Sequence, residues 1–334
     1  MTLPTRQLGT TDMQITRLGF GAWAIGGGDW SFGWGAQDDS DSVAAIRHAV
    51  STGINWIDTA AVYGLGHSEE VVAKAISDIP DGERPLVFTK CGLRWDPDQP
   101  FVPAKRVGRP ESIREEVDNS LSRLGVERID LLQVHWPAED GTEIEEYWGA
   151  LAAAKQAGKV RAIGLSNHGV SSLQRAEAVG HVDSLQPPFS LIKRDALADV
   201  LPWCAANGTG VIVYSPMQSG LLTGAFDRAR VEGLDPQDWR TKNPEFTTNL
   251  DRNLALVERL RDIASRLGTS PGEIALAWVL SHAAVTGAIV GARRPDQVDG
   301  WVGAAELTLD EATLAELANA VTETGAGTGP LAGS

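Results

Sequence analysis

One pattern limits what this chain can fold into: short apolar runs of strand composition alternate, almost from end to end, with longer stretches of helical period. Strands are predicted at 18–21, 54–58, 86–90, 129–135, 160–165, 184–186, 210–214 and 287–291. Helices are predicted after them at 68–76, 110–124, 144–157, 171–179 and 196–207, and an earlier one starts from a cap among Asp39, Ser40 and Asp41. The segment 110–124 is the plainest, because Ile113, Val117, Leu121 and Leu124 fall on one face. Such alternation requires parallel strands joined by crossovers. Eight units in 334 residues favour a closed (β/α)8 (TIM) barrel over an open sheet, and 43% apolar composition supplies the core for it.

The whole chain, 1–334, then reads as one domain with additions. Gly9-Thr10-Thr11-Asp12 is turn chemistry inside an N-terminal β-hairpin at 6–16. Residues 217–249 form a polar stretch without clear period, long enough for a lid. Extra C-terminal helices are predicted at 250–267, 271–282 and 310–321, and the glycine-rich tail 322–334 is expected to be disordered.

A net charge of −15 argues against nucleic acid and anionic membrane surfaces, so the expected partners are small molecules. No apolar run is long enough to span a bilayer and the first residues lack a signal-peptide core, which points to a cytoplasmic location. Two cysteines and six scattered histidines give no disulfide framework and no metal-ligand spacing; no metal is expected.

The chemistry gathers at strand ends. The second strand finishes in Asp58, followed by Thr59-Ala60-Ala61-Val62-Tyr63-Gly64; the third ends in Lys90 and the fourth in His135. A phenol titrates near ~10, so Tyr63 needs a cation or a hydrogen bond favouring its ionised form in order to exchange protons near neutrality. Lys90 is the cation available. Ser166, Asn167, Gln186 and Ser215 also lie at or just past C-terminal strand ends, where barrel active sites are built.

Each feature has a plainer reading. Asp58, Lys90 and His135 could be buried polar ties between strands, Tyr63 a surface phenol, and Cys91 either a reactive thiol or a core-filling residue. Trp23, Trp30, Trp34, Trp95 and Trp136 are either core or pocket lining; the loop positions of Trp30 and Trp34, and Trp136 just past a strand, suit a pocket. Gly19-Phe20-Gly21-Ala22-Trp23-Ala24 has the glycine spacing of a dinucleotide fingerprint, with Asp38 or Asp39 at the distance of a ribose-binding acid. The fingerprint needs a helix to start within it, and here the glycine-rich loop 26–35 follows, so it is rejected.

Taken together, these residues resemble the aldo-keto reductases over nearly the whole chain. The resemblance rests on the Asp58 to Gly64 segment, Lys90, His135, Gly164-Leu165-Ser166-Asn167, Gln186, Tyr214-Ser215-Pro216, Gly220-Leu221-Leu222-Thr223-Gly224 and Gly291-Ala292-Arg293. Gly66-His67-Ser68-Glu69-Glu70 and the tryptophan-rich first loop resemble the bacterial branch associated with inositol and stress responses. The resemblance implies an oxidoreductase acting on carbonyl and alcohol groups, holding NADP(H) across the barrel mouth. Tyr63 would be the general acid, with Lys90 and Asp58 lowering its pKa and His135 orienting the carbonyl. Ser166, Asn167 and Gln186 would hold the carboxamide, and Tyr214 would stack on the nicotinamide. The backbone from Ser215 through Leu222, including Pro216, Met217, Ser219, Gly220 and Leu221, would cradle the pyrophosphate. Arg293, with Arg294 beside it, would meet the 2′-phosphate, Gly291 and Gln297 standing near.

Two positions depart from the family pattern. Ala225 stands where a lysine is common, and Gly300 and Trp301 replace the acid and asparagine that usually grip adenine, leaving looser binding or stacking on Trp301. The functions implied are an NADPH-dependent carbonyl reductase, the reverse polyol or sugar dehydrogenase, or a nucleotide-binding regulatory subunit without turnover.

Overall fold

The computed structural model describes residues 3–80, 82–236 and 238–331. Eight parallel strands close into a barrel in chain order: β1 (Leu18–Gly21), β2 (Trp56–Asp58), β3 (Leu86–Cys91), β4 (Ile129–Val134), β5 (Val160–Ser166), β6 (Ser184–Gln186), β7 (Gly210–Val213) and β8 (Gly287–Gly291). The ring shuts between β8 and β1, in the register Ala288↔Leu18 to Gly291↔Gly21. Strand β2 starts later than expected, at Trp56, and Asn55, just before it, turns its side chain to the hairpin. Its carbonyl oxygen Oδ1 accepts from Thr16 N–H at 2.8 Å, and its Nδ2 donates to Gln14 O at 2.8 Å, tying the hairpin to the barrel.

That hairpin, Thr5–Gln7 against Gln14–Thr16, plugs the N-terminal end of the barrel. Leu8, Met13 and Ile15 pack onto Trp56, Phe88, Leu131, Ala162, Ile212 and Ile289 in an inner cluster separate from the shell between barrel and helices. Trp56 anchors it, its ring 5.2 Å from Phe88 and its Nε1 donating to Thr16 O at 2.8 Å. Its indole also explains a glycine: a Cβ on Gly19 would stand 2.1 Å from a Trp56 ring atom. Gly19 makes room for Trp56 rather than for a pyrophosphate. Gly19→Ala should therefore overpack the barrel floor and cost about 3 kcal/mol, the upper part of the usual overpacking range, read as a lower urea midpoint. An unchanged midpoint would mean that Trp56 can move aside.

The helices follow their end signals. Pro110–Leu124 starts with proline in its first turn and stops at Gly125, and Ser270 with Glu273 forms a capping box on Pro271–Ser281. The helix predicted at 196–207 is instead split into a 3-10 turn, Asp195–Leu197, and an α-helix, Val200–Asn207. Pro202 tolerates only the first turn of a helix, and Asp199 caps that turn by accepting from Val200 N–H at 2.6 Å. A two-stranded piece after β3, Leu93–Arg94 with Lys105–Arg106, was not anticipated.

The described residues of 217–249 are short turns and one five-residue helix, Arg228–Glu232, anchored by buried Leu221, Leu222, Phe226 and Phe246. The tail departs from expectation. Residues 322–324 complete the helix Glu311–Thr324, and 325–331 lie against the loop after β6 instead of fraying. Arg194 N–H donates to Thr328 O at 3.0 Å, and the Arg194 guanidinium reaches Ala326 O and Gly329 O at 3.3 and 3.2 Å. The expectation for 332–334 lies outside the described residues.

Candidate active site

The barrel's C-terminal rim brings the strand-end residues together. Lys90 Nζ donates to Asp58 Oδ1 at 2.5 Å and to Thr59 O at 2.9 Å, and lies 3.5 Å from the Tyr63 hydroxyl. Asp58 and Lys90 are 2% and 1% exposed. Burial pushes the Asp58 carboxyl up and the Lys90 ammonium down, while their mutual attraction works the other way. Gln186 Nε2 donates to Asp58 Oδ2 at 2.8 Å, tying the sixth strand's end to the carboxylate.

Tyr63 opens the 3-10 turn Tyr63–Gly66 beyond β2. Its ring stacks on Trp23 at 6.2 Å, tilts against Trp30 at 6.2 Å, and meets His135 edge-on at 5.7 Å. The expectation that Lys90 and Asp58 lower its pKa is corrected here. Burial and then the Asp58 charge raise it well above the ordinary tyrosine value, because the carboxylate is near enough to repel a phenolate and little water stabilises one. Tyr63 keeps its proton. Burial, then Lys90 and Arg106, hold His135 well below the ordinary histidine value, so its imidazole is neutral.

The next strand ends are laced together. Asn167 Nδ2 donates to His135 O at 3.0 Å and Ser166 Oγ at 3.1 Å, its Oδ1 accepts from the Tyr214 hydroxyl at 2.8 Å, and Ser166 Oγ donates to Gln186 O at 2.9 Å. Behind them His168, pushed down to about 4 by burial, joins Ser166 O at 2.8 Å to the Tyr147 hydroxyl at 3.0 Å. Among the described residues, the non-glycine positions with left-handed backbone are Leu65, Asn167, Ser215, Gln218 and Ser219, all in loops past strand ends. Such positions cost about 1–3 kcal/mol each and gather at functional sites. The run Gln218, Ser219 and Gly220 has φ of 47°, 53° and 90°, and its turn is closed by Gln218 N–H donating to Ser215 O at 2.9 Å and Leu221 N–H to Gln218 O at 3.1 Å. Pro216 is buried beside it, Met217 is half-buried, and Leu221 roots it in the core.

Past β8, Gly291 is exposed, while Gln297 Oε1 accepts from Arg293 N–H at 2.7 Å. The Arg293 guanidinium is bound to the first loop, and Arg294 pairs with Asp296 at 3.1 Å. Trp301 is 4% exposed within the core, so it has no free face for adenine stacking. Trp30 is buried with Ala60 and Val62, Trp95 packs on that cluster, and Trp136 lies under the Arg106 guanidinium at 4.5 Å. Cys91 is the core-filling residue, its thiol raised well above the ordinary value by burial. Among the described residues no cluster of metal-ligating side chains occurs and no helix is long and apolar enough to cross a membrane.

Several site neighbours escaped the sequence reading. Trp239 stacks on Trp23 at 5.6 Å and meets Trp34 at 5.7 Å, covering the Tyr63 side of the mouth. Arg240 lies over the Trp34 ring at 4.9 Å and pairs with Asp238 at 2.6 Å. A lone tryptophan-arginine pair in a polar stretch was the available signal. Glu69, fully buried, accepts from Thr89 Oγ1 and Arg123 Nε at 2.6 Å each behind Lys90. Its two partners come from distant parts of the chain.

The family model described as the aldo/keto reductase family matches residues 17–322. Aldo-keto reductase YhdN of Bacillus subtilis is 36% identical over 314 residues, covering 92% of both chains. An NADH-specific methylglyoxal reductase of Escherichia coli is 36% identical over 317 residues, 91% of this chain and 94% of that one. The structure of glycerol dehydrogenase AKR11B4 from Gluconobacter oxydans superposes with a TM-score of 0.88 at 35% identity, covering 99% of this chain and 98% of that one. With the closed eight-stranded barrel and the Asp58, Tyr63, Lys90 and His135 cluster at its rim, these matches make the chain a member of the aldo/keto reductase family, an oxidoreductase family that uses nicotinamide cofactors.

Proposed function

We propose that this protein reduces a small aldehyde or ketone with NADPH, Tyr63 passing its proton to the carbonyl oxygen. The observation that carries the reading is a protonated Tyr63 hydroxyl 3.5 Å from the Lys90 ammonium, which is itself fixed by Asp58. The residues at the mouth suit a dinucleotide: the left-handed turn at Gln218 to Gly220 offers the Ser219 and Gly220 amides to a pyrophosphate, and the Ser166–Asn167–Tyr214 network presents polar atoms beside a fixed ring. When bound there, a dihydronicotinamide would supply the hydride to the carbonyl carbon. Tyr63 gives its proton to the oxygen, and the Lys90 ammonium stabilises the phenolate left behind. Neutral His135 orients the carbonyl, and the Trp23, Trp30, Trp34 and Trp239 rings exclude water from the reacting atoms.

In the oxidation direction Tyr63 would act as a phenolate base, the form that burial and the Asp58 charge disfavour. The names of two relatives, a methylglyoxal reductase and a glycerol dehydrogenase, support short oxygenated three-carbon compounds as the first substrates to try. A panel of 2-oxoaldehydes, hydroxyaldehydes, ketones and sugars, followed by NADPH absorbance, tests the activity. No NADPH oxidation with any of them would overturn it.

Preference for NADP(H) rests on Arg293, since Arg294 is exposed and already paired with Asp296. The relative named as NADH-specific makes this the point most in need of measurement. Charge-assisted hydrogen bonds contribute about 1.5–3 kcal/mol, so Arg293→Ala should weaken NADP(H) binding roughly ten- to a hundred-fold and leave NAD(H) nearly unchanged. Equal weakening of both cofactors would place the 2′-phosphate elsewhere.

A further inference from the structure

Arg293 is engaged before any cofactor arrives. Its Nε donates to Gln37 Oε1 at 2.5 Å, Nη1 to Trp34 O at 3.3 Å and Nη2 to Ala36 O. Gln37 answers from its other end, Nε2 donating to Arg293 O at 3.0 Å and to Ser42 Oγ at 3.0 Å. Among the described residues every acceptor of the guanidinium is an uncharged carbonyl. The charged neighbours are cations: Arg294, which takes Asp296, and Arg240, which takes Asp238. A partly desolvated, unneutralised cation thus holds a loop by bonds weaker than those an anion would form with it.

That loop forms a wall of the aromatic mouth. Trp34 meets Trp23 edge-on at 5.3 Å and Trp239 at 5.7 Å, and Trp23 stacks on Tyr63. Gly35, between the two carbonyls that Arg293 grips, has φ +83° and open space where a Cβ would point, so the segment can pivot there.

We propose that Arg293 is a positioning residue with two alternative partners: in the cofactor-free protein it latches residues 34–37 through Gln37, and a 2′-phosphate draws the guanidinium off those carbonyls, releasing the Trp34 wall. The substrate pocket is then reset by NADP(H) but not by NAD(H). This rests on the NADP(H) reading above. Gln37, which has no part in the proposed chemistry, is the competing partner, and by linkage its removal should tighten binding of the phosphorylated cofactor.

The test is fluorine NMR on the full chain labelled with fluorotryptophan, the Trp34 resonance being assigned by its loss in Trp34→Phe. Titrations use NADP⁺, NAD⁺ and 2′-AMP, with dissociation constants measured in parallel for wild type and Gln37→Ala. Expected are a Trp34 shift with NADP⁺ and 2′-AMP and none with NAD⁺, a Gln37→Ala spectrum already near the shifted position, and severalfold tighter NADP⁺ binding by that variant with unchanged NAD⁺ affinity. A Trp34 resonance that ignores 2′-AMP, or moves equally with NAD⁺, overturns the latch, as does unchanged NADP⁺ affinity in Gln37→Ala. Preference for NADP⁺ without a Trp34 response removes the latch alone. No preference for NADP⁺, and no binding of 2′-AMP, removes the cofactor reading and the latch with it.

Discussion

Tyr63→Phe is expected to lower turnover by roughly two to four decades, the usual contribution of a positioned general acid, while leaving cofactor affinity close to wild type. The substitution deletes one oxygen and keeps the ring that packs against Trp23, Trp30 and His135, so the mouth retains its shape. Lys90 and Asp58 remain paired at 2.5 Å, which isolates loss of the proton donor from loss of charge balance. The pH profile provides a second reading. Because burial and Asp58 raise the folded pKa of Tyr63, the donor stays protonated from acid through neutrality, and the reduction rate should show no alkaline fall from Tyr63 until pH exceeds the unperturbed value near ~10. Wild-type turnover in Tyr63→Phe would remove Tyr63 from the chemistry. An alkaline limb near neutrality, present in wild type and missing from any residual Tyr63→Phe activity, would show that Lys90 outweighs burial.

Much of this site was legible in sequence because strand period does two things at once: it marks where a strand ends, and in a parallel barrel all such ends share one rim. Asp58, Lys90, His135, Ser166 and Gln186 were readable on that ground. The sign of the Tyr63 shift was not, since it depends on whether desolvation or the cation prevails, and that balance is set by the three aromatic rings around the phenol. Gln186 was recognisable as a rim residue, yet its bond to Asp58 spans 128 positions and has no local signal. Arg293 and Gln37 lie 256 apart and meet only because β8 closes against β1. Trp239 hid in a stretch whose order comes from capping by Asp227, Asp238 and Asn243 and from scattered anchors rather than from a period. The tail misled for a related reason: glycine content suggested fraying, but Arg194 binds its carbonyls.

The largest stability effect is expected at Lys90. Lys90→Met fills similar volume but leaves the Asp58 carboxylate buried with only neutral amides for company, Gln186 at 2.8 Å and Gln133 beside it. Removing one member of a buried ion pair costs about 3–5 kcal/mol, because the survivor keeps its desolvation penalty. Asp58 can escape that penalty by taking up a proton. Its folded pKa is already raised by burial, and loss of the ammonium raises it further, so the folded state holds the proton more tightly than the unfolded chain does. The deficit of Lys90→Met should therefore be greatest at neutral pH and shrink as pH falls through the raised folded value toward the unfolded carboxyl value near ~3.9, where both states are protonated. Adding Asp58→Asn removes the orphaned charge at every pH, so the double variant should regain most of the lost stability and lose the pH dependence while remaining unable to turn over substrate. Urea midpoints of wild type, both single variants and the double variant, at neutral and acid pH, complete the cycle. If the double variant were no more stable at neutral pH than Lys90→Met, the loss would come from packing around residue 90. The pair would then matter to the barrel through the volume Lys90 fills, and the charge balance assigned to the rim would have to be supplied elsewhere.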